Sequence, residues 1–247
     1  MRKALKNGIS VLFWLAVWQL AAMAANRSLL LLPIPTPVDT ACALCRMAAE
    51  GGFWLTLGAS LLRICAGFAL ALLAGGAGAA ASARWPLFRQ LAAPLVQLIR
   101  AIPVAVFTIV VFLWVSRPYI PSTIVFLTVL PIVWSNVETG LENADRHLSE
   151  MARVFGMSRR AILRQITLPG IRPYVSAAVT TGLGFAWKSG IAAEVICRTQ
   201  GSLGDLLWRG KATVSYDEVF ALTAVIVLCS ALLQRAFSSP KRREAAP

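Results

Sequence analysis

Hydrophobic positions along the chain fall into six long runs, at roughly 9–30, 53–81, 91–115, 120–140, 171–197 and 217–237. Each approaches or exceeds the ~20 residues that a helix needs to cross a bilayer. Between the fourth and fifth runs the pattern changes. Residues 141–170 are polar and basic, with apolar positions at helical spacing: Leu148, Met151 and Phe155 with Ala152 between them, then Ala161, Ile162, Gln165 and Ile166. Gly156 suits the left-handed position that ends a helix, and Ser158 suits the cap of the next one. Pro169 disfavours helix at Leu168, so a change of direction is expected before the fifth run. The pattern predicts an all-α integral membrane domain with a helix–turn–helix knob, arginines surrounding its apolar face, in the shape of a docking element.

The remaining connections are short. Pro33-Ile34-Pro35-Thr36-Pro37 is expected to start a loop in extended conformation, Gly51-Gly52 precedes the second run, and Arg84-Trp85-Pro86 and Arg117-Pro118 make turns. The small-residue stretch Ala69–Ala83 suits close helix packing in lipid, where small side chains let backbones approach. No internal repeat is visible. The first run has two readings. Arg2, Lys3 and Lys6, an apolar core over 9–25 and Ala22-Met23-Ala24 fit a cleaved signal peptide. Trp14, Trp18, Gln19 and the five runs that follow favour an uncleaved first span.

Composition agrees with a membrane protein: 57% hydrophobic and 14% charged residues, with a mean hydropathy of +0.69. Charge then orients the bundle. With the N-terminus in the cytoplasm, only Arg27, Arg46, Arg117, Arg198, Arg209 and Lys211 fall outside. Arg63 and Lys188 lie within spans, and the other sixteen of the 24 Lys and Arg residues fall inside. This obeys the positive-inside rule and places both termini and the knob in the cytoplasm. Topology and anionic headgroups account for the formal charge of +13 without nucleic acid. The chain is expected to form one membrane domain over 1–247 without an appended soluble domain.

The knob also carries a resemblance. Glu-x-Ala-x3-Gly-x9-Ile-x-Leu-Pro, formed by Glu150, Ala152, Gly156, Ile166, Leu168 and Pro169, is similar to the signature of the inner-membrane permeases of ABC importers, with Met151 departing from their common Glu-Ala-Ala opening. Ser60-Leu61-Leu62-Arg63 with Gly67-Phe68, Leu98-Ile99-Arg100-Ala101-Ile102-Pro103, Phe185-Ala186-Trp187 and Ala193-Glu194 resemble motifs of the nitrate-, sulfonate- and taurine-type permeases. Gly201-Ser202-Leu203-Gly204 replaces their usual Gly-Leu-Gly, and Lys188 stands where an uncharged residue is expected. The resemblance runs from about Pro35 to Gln234. It implies a type I importer permease of six transmembrane helices in the bacterial inner membrane. It also implies a coupling helix pair seated on a separate ATPase through Glu150, Ala152, Phe155, Gly156, Ile162, Ile166, Leu168 and Pro169. Two permease copies, two ATPase subunits holding ATP and Mg, and an extracytoplasmic solute-binding protein would complete the assembly. The chain itself would hold no cofactor or metal.

Ionisable residues inside apolar spans cost several kcal/mol unless paired or hydrated, so Arg63, Lys188 and Glu194 are further candidates. Arg63 lies roughly 15 Å into the second span at the helical rise, and Glu194 sits near the outer end of the fifth. The two are expected to pair, as a structural clamp or as part of the solute path. Lys188, six residues from Glu194 on another face, attracts an anionic solute in one reading and pairs with a carboxylate or carbonyl in the other. Several motifs carry little. Gly182-x-Gly184-x-x-Trp187-Lys188-Ser189 has Trp where a phosphate loop needs Gly. Cys42-Ala43-Leu44-Cys45 has no further Cys or His to complete a metal site. His147, the only histidine, has no acid and nucleophile beside it. A membrane-embedded enzyme is therefore disfavoured against a permease, and either a small anion or a neutral nutrient remains open as the solute.

Overall fold

The computed structural model describes residues 2–27 and 33–237. The side chains of Arg2, Lys3, Lys6 and Arg146, residues 28–30 of the expected first span, and Lys241, Arg242 and Arg243 lie outside the described residues. Every element described is helical. In chain order they are α1 (Arg2–Arg27), α2 (Pro37–Ala49), α3 (Gly51–Arg84), α4 (Pro86–Ala101), α5 (Val104–Phe112), a 3-10 turn (Arg117–Tyr119), α6 (Ile120–Glu142), α7 (Arg146–Val154), α8 (Arg159–Ile162), a π-helical turn (Leu163–Thr167), α9 (Leu168–Cys197), α10 (Leu203–Ala212) and α11 (Tyr216–Phe237).

Helix α6 forms the centre, packed between α3 and α9. Along this seam Ile64, Phe68, Ala71, Val125, Val129, Val133, Ala178, Leu183 and Trp187 form the buried core. Small residues set the spacing. A Cβ on Gly67 would lie 2.3 Å from the Ser122 carbonyl oxygen, so only glycine permits this approach of α3 to α6. The Trp187 indole N–H donates to the Ile226 carbonyl of α11 at 2.9 Å, so its one polar atom is satisfied.

Four helical stretches among the described residues are long and apolar enough to cross a membrane: Gly8–Arg27, Gly51–Arg84, Arg117–Glu142 and Tyr216–Phe237. The other two expected spans take different forms. The run at 91–115 is two helices, α4 and α5, bent by 104° at Ile102-Pro103. Pro103 disfavours helix at the residue before it. Polar ties to α6 then hold α4 in its own direction: Arg89 pairs with Glu138 at 3.0 Å and with Glu142, Arg100 donates to the Pro131 carbonyl at 2.8 Å, and Phe88 stacks on Trp134. The fifth expected span, α9, is long enough but less apolar. Its 30 residues include Arg172, Lys188 and Glu194 and many small residues, because most of its circumference packs against protein.

Two short helices replace expected loop. Pro37 does not continue an extended segment; it is the first residue of α2. The Thr36 hydroxyl accepts from the Asp39 N–H, and the Asp39 carboxylate accepts from the Thr36 N–H, which closes a capping box. The Thr36 hydroxyl also donates to the Asp39 carboxylate at 2.8 Å, and this bond first, with that from the Thr36 N–H second, holds the Asp39 carboxyl below its ordinary value. Helix α10 starts in a related way, with the Ser202 hydroxyl accepting from the Asp205 N–H at 3.1 Å.

Candidate functional site

The knob forms as its sequence suggests at the turn. Asp145 caps α7 by accepting from the Leu148 N–H at 2.9 Å. Phe155 ends the helix, and Gly156 takes φ +77°. The Gly156 N–H then bonds the Arg153 carbonyl at 2.9 Å and the Met157 N–H the Ala152 carbonyl at 3.0 Å. These two bonds are the Schellman pattern, which requires the left-handed residue in between. Ser158 caps α8 by accepting from the Ala161 N–H.

Pro169 behaves differently from expectation. Leu168 is helical, and α8 runs through the π-helical turn directly into α9, with Pro169 in its first turn. The Leu168 N–H bonds the Leu163 carbonyl, five residues back. The wider turn shifts the hydrogen-bond register just where Pro169 has no N–H to give, and the helix continues instead of breaking. The knob is thereby joined rigidly to α9.

Burial divides the expected coupling residues into two groups. Ala152 and Ile162 are buried where α7 meets the following turn, Ile166 is half-buried, and these hold the knob together. Val154 and Phe155, at 86% and 79% exposure, project beyond it, and Leu168 and Pro169 are exposed at its junction with α9. Glu150 is exposed in the middle of α7 and makes no ion pair among the described residues.

At the other end of α9 the structure brings Arg63 and Glu194 together, with a nitrogen of the guanidinium 3.7 Å from Glu194 Oε1. Glu194 has no exposed surface. Its Oε2 accepts from the Ser60 hydroxyl at 2.9 Å and from the Gly204 N–H at 3.3 Å, while Ser60 Oγ accepts from the Leu203 N–H at 2.9 Å. The carboxylate therefore sits on the first N–H groups of α10, where the helix dipole favours a negative charge. Arg63 also donates to the Gly201 carbonyl at 3.1 Å. Gly204 is essential to the contact: a Cβ there would lie 2.5 Å from the Glu194 backbone and Cβ. The α9 chain ends at Arg198, left-handed at φ 50°, whose guanidinium stacks over Trp208 of α10. The roles of Ser60 and of α10 were not read from the sequence, although Ser202-x-x-Asp205 marks a helix start.

Lys188 joins neither cluster. It is exposed on α9, on a stripe with Ala177, Thr181, Phe185 and Ile196, while the rest of this part of the helix is buried or half-buried. Among the described residues it makes no ion pair.

A bent-helix bundle with a protruding helix pair between two of its long helices agrees with one family. Residues 67–238 match the binding-protein-dependent transport system inner membrane component. The chain belongs to this family. This permease is 32% identical to the putative aliphatic sulfonates transport permease protein SsuC of Escherichia coli, over 88% of this chain and 81% of that protein. It is 28% identical to the taurine transport system permease protein TauC of the same organism, over 93% and 84%. It is 27% identical to the nitrate import permease protein NrtB of Leptolyngbya laminosa, over 74% and 66%. In fold it is similar to a chain of a bacterial alginate ABC transporter, with a TM-score of 0.63 at 13% identity over 98% of this chain and 95% of that one. A chain of the MetNI methionine ABC transporter gives 0.53 at 20% identity, over 83% and 96%. The permease thus has the type I importer fold and is a multi-pass membrane protein, an importer subunit whose relatives are transport permeases.

Proposed function

We propose that two copies of this permease form the path of an ATP-driven importer for a small anion. Both termini and the knob face the cytoplasm, and an external solute-binding protein delivers the solute. ATP and Mg bind on two partner ATPase subunits, and the knob seats on them. The observation that carries the coupling role is the exposure of Val154 and Phe155 on a turn whose interior is closed by Ala152 and Ile162. Apolar side chains held out on a rigid, basic turn gain their burial only from a partner surface. Because α8 continues into α9, movement of the knob by ATPase closure is transmitted along a helix of ~45 Å toward Glu194.

The choice of an anion rests on Lys188 and on the sulfonate, taurine and nitrate relatives. A lysine on a stripe facing lipid costs ~3 kcal/mol near the bilayer centre, and Thr181, about two turns away on the same stripe, is also polar. Facing a water-filled path between two copies, the same ammonium attracts an oxyanion. The test reconstitutes the permease with its ATPase and binding protein in proteoliposomes. Sulfonates or nitrate should stimulate ATP hydrolysis, and Lys188→Gln should remove most of that response. Equal stimulation of both proteins by a neutral solute would contradict the anion assignment.

A further inference from the structure

Helix α2 carries a feature that transport leaves unused. Cys42 and Cys45 are separated by one helical turn, and both thiols are free and exposed. Val38, Ala41, Cys42 and Cys45 follow the i, i+3, i+4, i+7 spacing of one helix face, and with Pro37 they line a shallow, open apolar cleft. The backbone under them is well fixed. Pro37 starts the helix, Thr36 and Asp39 close its capping box, and Arg46 bonds Asp217 of α11 at 2.5 Å. The two thiols are consequently presented side by side on a rigid support, rather than on a mobile loop.

The spacing determines what such a pair can do. Side chains three residues apart on a helix have Cβ atoms about 5–6 Å apart. A disulfide needs them at about 3.5–4.5 Å, so closing one would distort α2 and its cap. A metal bridge has the opposite fit. Two bonds of about 2.3 Å to one ion separate the sulfurs by up to ~4.6 Å, a wider pair than a disulfide requires. No group of three or more His, Cys, Asp or Glu residues that could hold an ion occurs among the described residues, so a four-coordinate zinc site is not formed. Soft ions that accept two thiolates match this donor set.

We propose that Cys42 and Cys45 form a two-coordinate site for a soft, thiophilic cation such as Cu(I). Both thiols lose their protons as the two metal–sulfur bonds form, and no electron is transferred. Trivalent arsenicals react at the same site: phenylarsine oxide condenses with the two thiols, forming two As–S bonds, and its oxygen leaves with both protons as one water. The site is independent of the transported solute.

The experiment uses the purified full-length permease, reduced and in detergent, with Cu(I) buffered by a chromogenic chelator. Wild type should bind one Cu(I) per chain, and Cys42→Ser and Cys45→Ser should each weaken binding by about 100-fold. Cys65→Ser, on α3, should leave it unchanged. Because the Cys42 and Cys45 side chains are exposed, their serine variants should retain the wild-type melting temperature. As a second measurement, one equivalent of phenylarsine oxide should protect both Cys42 and Cys45 of the wild type from alkylation. Wild-type affinity in either single variant would overturn the site, as would protection of only one thiol or a wild-type protein isolated with these cysteines as a disulfide.

Discussion

Glu194 and Phe155 are both unusual for their surroundings, one a carboxylate with no exposed surface inside an apolar bundle, the other an aromatic ring 79% exposed on a polar turn. They lie beyond or near opposite ends of α9. Around Glu194, two helices supply compensation: Ser60 and Arg63 from α3, and the Gly204 N–H from the start of α10. Around Phe155 and Val154 the chain supplies none. A polar group enclosed by its own chain indicates a structural joint, whereas apolar groups left outside their own fold indicate a surface completed by another molecule. With the importer function proposed above, the first region serves stability and the second serves coupling.

The largest effect is expected at the Arg63–Glu194 joint. Arg63→Ala should leave the buried Glu194 charge without its cation and destabilise the protein by about 3 kcal/mol, read as a lower melting temperature of the detergent-solubilised permease. Replacing both residues by neutral ones, Arg63→Met with Glu194→Gln, should recover part of the loss. Additive effects in this double-mutant cycle would remove the pair from the account.

At the knob the expected effect on stability is smaller and the effect on assembly larger. Gly156→Val forces a β-branched residue to φ +77°, a strain of about 1–3 kcal/mol. Because a Cβ at Gly156 meets nothing within 4 Å, this cost comes from the backbone and not from a clash. The variant should insert normally but copurify poorly with its ATPase. An intact complex of wild-type yield would show that the turn geometry is dispensable.

Glu150→Ala is milder. Glu150 is exposed and makes no ion pair among the described residues, so the melting temperature should move by less than the equivalent of about 0.5 kcal/mol. ATPase affinity should fall several-fold while Val154 and Phe155 keep partial binding. A loss of stability without a loss of affinity would reverse the comparison.

The smallest effect is at the α2 cap. The lowered pKa of the Asp39 carboxyl means that its contribution is present above the ordinary value of 3.8 and is lost as pH falls from there through the folded value. The protection of the first-turn amides of α2, measured as exchange relative to its intrinsic rate at each pH, should therefore fall on acidification through that window, and Asp39→Asn should flatten the dependence. A wild-type profile in the variant would dissociate the cap from Asp39.

Legibility in the sequence followed the physics of each region. The knob was readable because its devices are local: Gly156 and Ser158 act within a few residues of themselves. The Arg63–Glu194 pair was readable because charges in apolar runs are conspicuous. The bend at Ile102-Pro103 was hidden by continuous hydrophobicity from 91 to 115, which says nothing of direction. Pro169 misled, since a π-helical turn accommodates a missing N–H as well as a break does. Helix α2 was obscured by the prolines before it, although Thr36 and Asp39 spell a capping box. The bridge from Ser60 to α10 joins residues more than 140 positions apart, a contact that only tertiary packing creates.

In the proposed importer the exposed knob transmits ATPase closure to the bundle. Solute uptake and solute-stimulated ATP hydrolysis, measured together in proteoliposomes carrying the permease, its ATPase and its binding protein, test it most directly. With Gly156→Val, both should fall at least tenfold, while the solubilised permease loses no more than the few degrees that the backbone strain accounts for. Parental rates of uptake and hydrolysis in that variant would contradict the claim.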